Sequence, residues 1–137
     1  MLTLTSLIAN GVPEKFPDLN FVLLEASLSW LPGMMAKLNR EHGQWTSEVP
    51  LLEKSPEQYI RDSFYFGSQP LGELEDKRHM EQLLEILGPE SILFSTDYPH
   101  YDFDNPSTID KLLDDFDKED RDKILYKNAA DAFGLGI

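Results

Sequence analysis

The sequence predicts an α/β fold in which buried parallel strands alternate with helices. Three observations carry this. Short, mainly apolar runs lie near residues 20–25, 62–67 and 92–96; the segments between them repeat apolar residues at three- and four-residue spacing; and Gly or Pro marks most of the changes from one pattern to the other. The 137 residues suffice for a single domain spanning 1–137, and a 41% hydrophobic content exceeds what a disordered chain carries.

In chain order, residues 5–10 read as the end of a helix, with Gly11 at its C-cap and Pro13 and Pro17 holding a connection. Residues 20–25 form the first strand and end on the polar Glu25. Between 28 and 38, Trp30, Leu31, Met34, Met35 and Leu38 place an apolar stripe on a helix that starts around Pro32 and breaks near Gly43. Ser55 caps a short helix with Pro56 in its first position. The second strand, 62–67, centres on Phe64, Tyr65 and Phe66 and stops at Gly67, with Arg61 and Asp62 as a salt-bridged entrance. A helix over 73–87 uses Leu74, Met80, Leu83, Leu84 and Leu87 before Gly88 and Pro89. The third strand follows at 92–96, then helices over 106–116 and 119–133.

Composition excludes several function classes. With 12 basic against 25 acidic residues and a formal charge of -13, the surface does not suit nucleic acid or an anionic membrane. Nine acidic and three basic residues fall between Asp102 and Asp122, which reads as the solvent face of an outer helix, an acidic interaction patch being the alternative. No cysteine is present, so there is no disulfide framework, thiolate metal site or thiol nucleophile. The apolar opening lacks a basic start, and no apolar run approaches the roughly 20 residues of a membrane span, so a cytoplasmic location is expected. No glycine loop for phosphate, HExxH pair or GxSxG elbow occurs, and His42, His79 and His100 are too scattered for spacing alone to define a metal centre.

One segment is more specific. Phe94-Ser95-Thr96-Asp97-Tyr98-Pro99-His100 resembles the segment after the last barrel strand of amidohydrolase-related proteins of the carboxymuconate-semialdehyde decarboxylase-like class. The wider resemblance runs from Val12 to the C-terminus through Phe16-Pro17-Asp18-Leu19, the stretch from Glu25 to Pro32, Phe64-Tyr65-Phe66-Gly67 and Asn128-Ala129. It implies the C-terminal strands and helices of a metal-dependent hydrolase barrel, that is, a partial TIM barrel. A complete barrel takes about 250 residues.

The resemblance also implies a site. Asp97 matches the family's metal-binding and catalytic Asp, where a divalent ion such as zinc or manganese activates water or polarises the substrate. Glu25 and His100 are the other catalytic candidates. Glu25 stands where decarboxylase-like members carry His, and Lys37-Leu38-Asn39 stands where many relatives resemble Arg-Leu-Asp. Lys lacks the bidentate fork of Arg. Each residue has a plainer use: Asp97 can organise a turn, Glu25 can cap one, and His100 can orient the loop. His42 and His79 are expected at the surface, and Trp30, Met34 and Met35 in packing.

The family's His-x-His pair of the first strand and its mid-barrel His have no counterpart in these residues. A high-affinity site needs several preorganised ligands, so the expectation is an amidohydrolase-related fragment, inactive alone, with no tightly bound metal. The alternative is a noncatalytic structural or interaction module. Open strand edges need partners, which predicts a homodimer or larger homo-oligomer, or a complementary barrel segment.

Overall fold

The structure, a computed structural model, describes residues 1–71 and 76–136 and divides into two compact units, one of residues 1–21 and 30–64, the other of 22–29 and 65 onward.

The first unit is helical. Helix α1 (Leu2–Ala9) buries Leu4 and Ile8, one turn apart on one face. Gly11 follows at φ 63°, where a Cβ would come within 2.6 Å of the Leu51 Cβ, so both backbone and space require glycine there. Residues expected to form only a connection instead make a short helix, α2 (Val12–Lys15), because Pro13 sits in its first turn, where its missing N–H costs nothing. Helix α3 (Leu31–Trp45) buries Leu31 and Met35 and does not break at Gly43. Helix α4 (Pro56–Ser63) opens with the expected Ser55 cap, which the structure extends to a full capping box: the Ser55 hydroxyl accepts from Gln58 N at 3.3 Å, and Ser55 N donates to Gln58 Oε1 at 3.0 Å. Asn39 ties α3 to α4, donating to Glu57 Oε2 at 2.8 Å and accepting from Glu57 N at 3.0 Å. Buried Tyr59 accepts from the backbone N–H of Glu53 and Lys54 at 3.0 and 3.2 Å and donates to the Glu14 carboxylate.

Arg61 and Asp62 belong to the last turn of α4 rather than to a strand: Arg61 pairs with Glu57 one turn back at 2.8 Å and Lys54 with Asp62 at 2.8 Å. The strand therefore begins at Phe64.

All of the sheet but the first residues of β1 and β2 lies in the second unit; its order is β1 (Phe21–Leu23), β2 (Phe64–Gly67), β3 (Ile92–Leu93). Strands β2 and β3 are parallel, with Phe66 opposite Ile92 and Gly67 opposite Leu93. All three are shorter than expected: β2 loses its first two residues to α4, and the chain reaches positive φ at Glu25 and Asp97 soon after β1 and β3. Helix α5 (Lys77–Leu87) is capped by Asp76 and buries Met80, Leu83, Leu84 and Leu87 in one stripe, while the expected start at Glu73 and Leu74 lies outside the described residues. Helix α6 (Pro106–Leu112) ends one turn early. The final expected helix is three joined pieces, α7 (Lys118–Asp122), a π turn (Lys123–Lys127) and α8 (Asn128–Phe133).

That last stretch covers part of β3. Ser68 N donates to the Leu93 carbonyl at 2.8 Å from the β2 side, and by strand alternation Ile92 and Phe94 present their polar groups the other way. There the Ile92 carbonyl accepts from Asn128 at 2.8 Å and Phe94 N donates to the Ile124 carbonyl at 2.9 Å. The expected open edge is thus taken at these two residues. No strand pairs with the far side of β1 among the described residues. No helix of the described residues is long and apolar enough to cross a membrane.

Candidate functional site

Glu25 and Asp97 each follow a strand of the second unit, and both hold positive φ, 52° and 60°. Ser27 does too, at 57°. For residues with a Cβ this conformation costs on the order of 1 kcal/mol or more each, and such strain gathers where side chains must be aimed. The carboxyl groups of Glu25 and Asp97 are hydrogen-bonding partners. That contact, then the negative charge of Asp97, pushes Glu25 above the ordinary carboxylate range.

The loop after β3 is closed by its own backbone. Asp104 N donates to the Thr96 carbonyl at 2.9 Å, His100 N to the Asp97 carbonyl at 2.8 Å, and Phe103 N to the His100 carbonyl at 3.2 Å. Asp104 also accepts from Leu71 N at 2.7 Å, fastening the loop to the segment after β2. The peptide between Tyr98 and Pro99 is cis. Folding the loop back brings the Asp97 carboxylate within 3.2 Å of His100 Nδ1, which also hydrogen-bonds Asp102. The bond to Asp102, more than the charge of Asp97, raises His100 above the ordinary imidazole value.

Ligand-type atoms of Asp97, His100 and Asp102 all lie within 4.8 Å of one another. Two carboxylate oxygens and an imidazole nitrogen form a donor set that suits zinc or manganese, and they fit as one side of such a site. A ring nitrogen of His100 can bind a cation only while it carries no proton.

The structure therefore brings the three sequence candidates, Glu25, Asp97 and His100, into one cluster. It adds Asp102, which the sequence grouped with an outer helix. The turn after Asp97 is closed by the backbone carbonyl of that residue, which accepts from His100 N, and not by the side-chain bond of the plainer reading. His79 is exposed, as expected. His42 is not a surface residue: it is half-buried, lines a groove of about 630 Å³ with Met34, Leu38 and Trp45, and its Nε2 has no hydrogen-bond partner among the described residues. Met35 is core, 3% exposed, and Trp30 and Met34 are half-buried.

A sequence model of the family described as amidohydrolase matches residues 1–135. The chain is 30% identical over 136 residues to the gamma-resorcylate decarboxylase of Polaromonas sp. strain JS666, an alignment covering 94% of this chain and 38% of that protein. Among solved structures, it matches an amidohydrolase from Mycobacterium avium subsp. paratuberculosis K-10 with a TM-score of 0.81 and 25% identity, over 96% of this chain and 32% of that one. A 5-carboxyvanillate decarboxylase from Sphingomonas paucimobilis matches with a TM-score of 0.74 and 23% identity, over 95% and 38%. A dihydroxybenzoic acid decarboxylase from Polaromonas sp. JS666, solved with manganese and 2-nitroresorcinol, gives a TM-score of 0.73 and 23% identity, over 98% and 39%. The chain spans less than two fifths of these relatives, and its fold is that of part of a TIM barrel.

Proposed function

The chain belongs to the amidohydrolase family, and we propose that it supplies the carboxylate side of a divalent-metal site of the decarboxylase type, completed by donors that these residues do not include. The observation that supports this is the convergence of Glu25, Asp97, His100 and Asp102 beyond the ends of β1 and β3. Asp97 and a proton-free nitrogen of His100 would hold the ion, with Asp102 orienting His100 or joining the ligand set. Bound there, a zinc or manganese ion supplies Lewis-acid polarisation of a substrate oxygen. Glu25 is placed beside Asp97 to hold or pass a proton. Aromatic acids of the gamma-resorcylate and 5-carboxyvanillate kind are the substrate class to try first, since relatives are named for them.

On this reading the isolated chain binds metal weakly and turns nothing over, because three donors from one exposed loop leave the ion largely hydrated. The test is a Mn²⁺ titration followed by nuclear magnetic resonance, with decarboxylation assays on both acids. Selective broadening of Asp97, His100 and Asp102, lost in Asp97→Asn, is the expected result, together with no turnover. Broadening spread over other acidic residues would remove the site from consideration. Metal-dependent turnover that Asp97→Asn abolishes would show instead that the chain is competent by itself.

A further inference from the structure

We propose that Gly67 and Ser68, at the end of β2, are positioning residues that set how closely Glu25 and Asp97 approach, acting through Leu24 and Ser95. This rests on the reading of Glu25 and Asp97 as the carboxyl pair of the site.

The sheet order places β2 between β1 and β3. Chain leaving β1 can meet chain leaving β3 only across the end of β2. The residue at that end is Gly67, and a Cβ built on it would lie 2.8 Å from Ser95 Oγ and 3.1 Å from Leu24 Cδ2. Gly67 is not among the positive-φ glycines, so what the position demands is space. Leu24 immediately precedes Glu25, and Ser95 stands two residues before Asp97. A bare Cα at 67 thus lets the two segments close over β2.

Ser68 fixes one of them. Its hydroxyl is fully buried within the fold and engages both backbone groups of Ser95, accepting from Ser95 N at 3.1 Å and donating to Ser95 O at 3.2 Å. Ser95 Oγ accepts in turn from Gln69 N at 3.2 Å. Strand pairing between β2 and β3 stops at Gly67 and Leu93, and these three bonds carry the attachment two residues further. Asp97 therefore enters its positive-φ turn from a residue that is held on both its N–H and its carbonyl.

The 137-residue chain tests this directly through the proton–proton Overhauser signal between the Glu25 and Asp97 side chains, with amide shifts of α3 and α5 reporting on the fold. Gly67→Ala is expected to keep the fold and weaken the Glu25–Asp97 signal severalfold. Adding Ser95→Ala removes the nearest colliding atom and should restore much of that signal, which general destabilisation would not allow. Ser68→Ala should weaken the signal as well, and Ser68→Thr, which keeps the hydroxyl, should retain it. If Gly67→Ala does not fold, the Ser68 pair decides: a signal that disappears with Ala and persists with Thr supports the proposal. An undiminished signal in folded Gly67→Ala, or in Ser68→Ala, overturns it. Mn²⁺ broadening serves as a separate arm, since its absence would count against the metal reading while leaving the carboxyl spacing measurable.

Discussion

Asn128 donates from its carboxamide nitrogen to the carbonyls of Ile92, at 2.8 Å, and Pro89, at 2.6 Å, so one side chain of α8 holds both ends of the turn that feeds β3. Only 4% of Asn128 is exposed. Asn128→Ala would strip two carbonyls of their donor inside the fold, and each such loss runs at about 1–3 kcal/mol. A destabilisation of roughly 2–3 kcal/mol in urea unfolding is the expected outcome. Asn128→Asp should be no better, because it exchanges a donor for a charged acceptor facing carbonyl oxygens. Wild-type stability in either variant would mean the geometry at Asn128 carries no energetic weight.

Tyr59→Phe keeps the ring and removes the hydroxyl that serves Glu53 N, Lys54 N and Glu14 together. Burial, followed by the bond to Glu14, pushes the phenol above its ordinary range, so it stays protonated as a donor throughout the neutral region. Leaving two backbone N–H groups short of an acceptor should lower stability by about 1–2 kcal/mol and speed proteolytic cleavage between residues 49 and 55. Cleavage at the wild-type rate would contradict the proposed tether.

Asp76 gives a signed pH dependence. Its hydrogen bonds with the Arg78 side chain and backbone hold its carboxyl at about 2, below the ordinary 3.8. A carboxylate depressed in the folded state adds stability above the unfolded value and loses it as pH falls through the folded one. Its contribution should therefore be complete above about pH 4 and fade between pH 4 and 2. Asp76→Asn, which can still cap α5, should flatten the stability profile in that window alone. Denaturation midpoints measured from pH 2 to 5 check it; an equal slope in both proteins would leave Asp76 without the assigned role.

Self-association should run through β1. Val22 and Leu23 are half-buried, Leu24 is 60% exposed, and no described strand covers their outer side. Sedimentation at low micromolar concentration should show a species larger than the monomer. Val22→Lys, a charge on that strand, should return it to monomer; monomer throughout for the wild-type chain would discard this surface.

Local chemistry was what the sequence displayed best. Ser55 and Pro56 announce a helix start because cap and ring are adjacent residues, and the structure adds the return bond of Gln58. Gly43 misled for the opposite reason. No described residue lies within 4 Å of where its Cβ would be, and the roughly 1 kcal/mol a helical glycine forfeits is outweighed by the burial of Leu31 and Met35 on the same helix. Glu25 was legible as the polar end of an apolar run, and Asp97 through the resemblance of residues 94–100 to a family segment. Their positive φ was not, since neither is a residue type that requires it. Asp102 could not be separated from the acidic run behind it, because only the folded-back loop brings it to His100. The same holds for Gly67, whose role is spatial and comes from strands distant in sequence.

The bonds that Asn128 and Ile124 make to β3 also decide how far an assembly can grow. A subunit with two adhesive strand edges adds copies at both ends and builds a filament, whereas one with a single free edge pairs once and is finished. With Ile92 and Phe94 already engaged on the outer side of β3, this chain belongs to the second kind at those positions. The self-association predicted through β1 would then close as a two-fold pair. The π turn and the asparagine beside it would thus act as a stop signal for polymerisation, at the strand from which the chain runs on to Asp97.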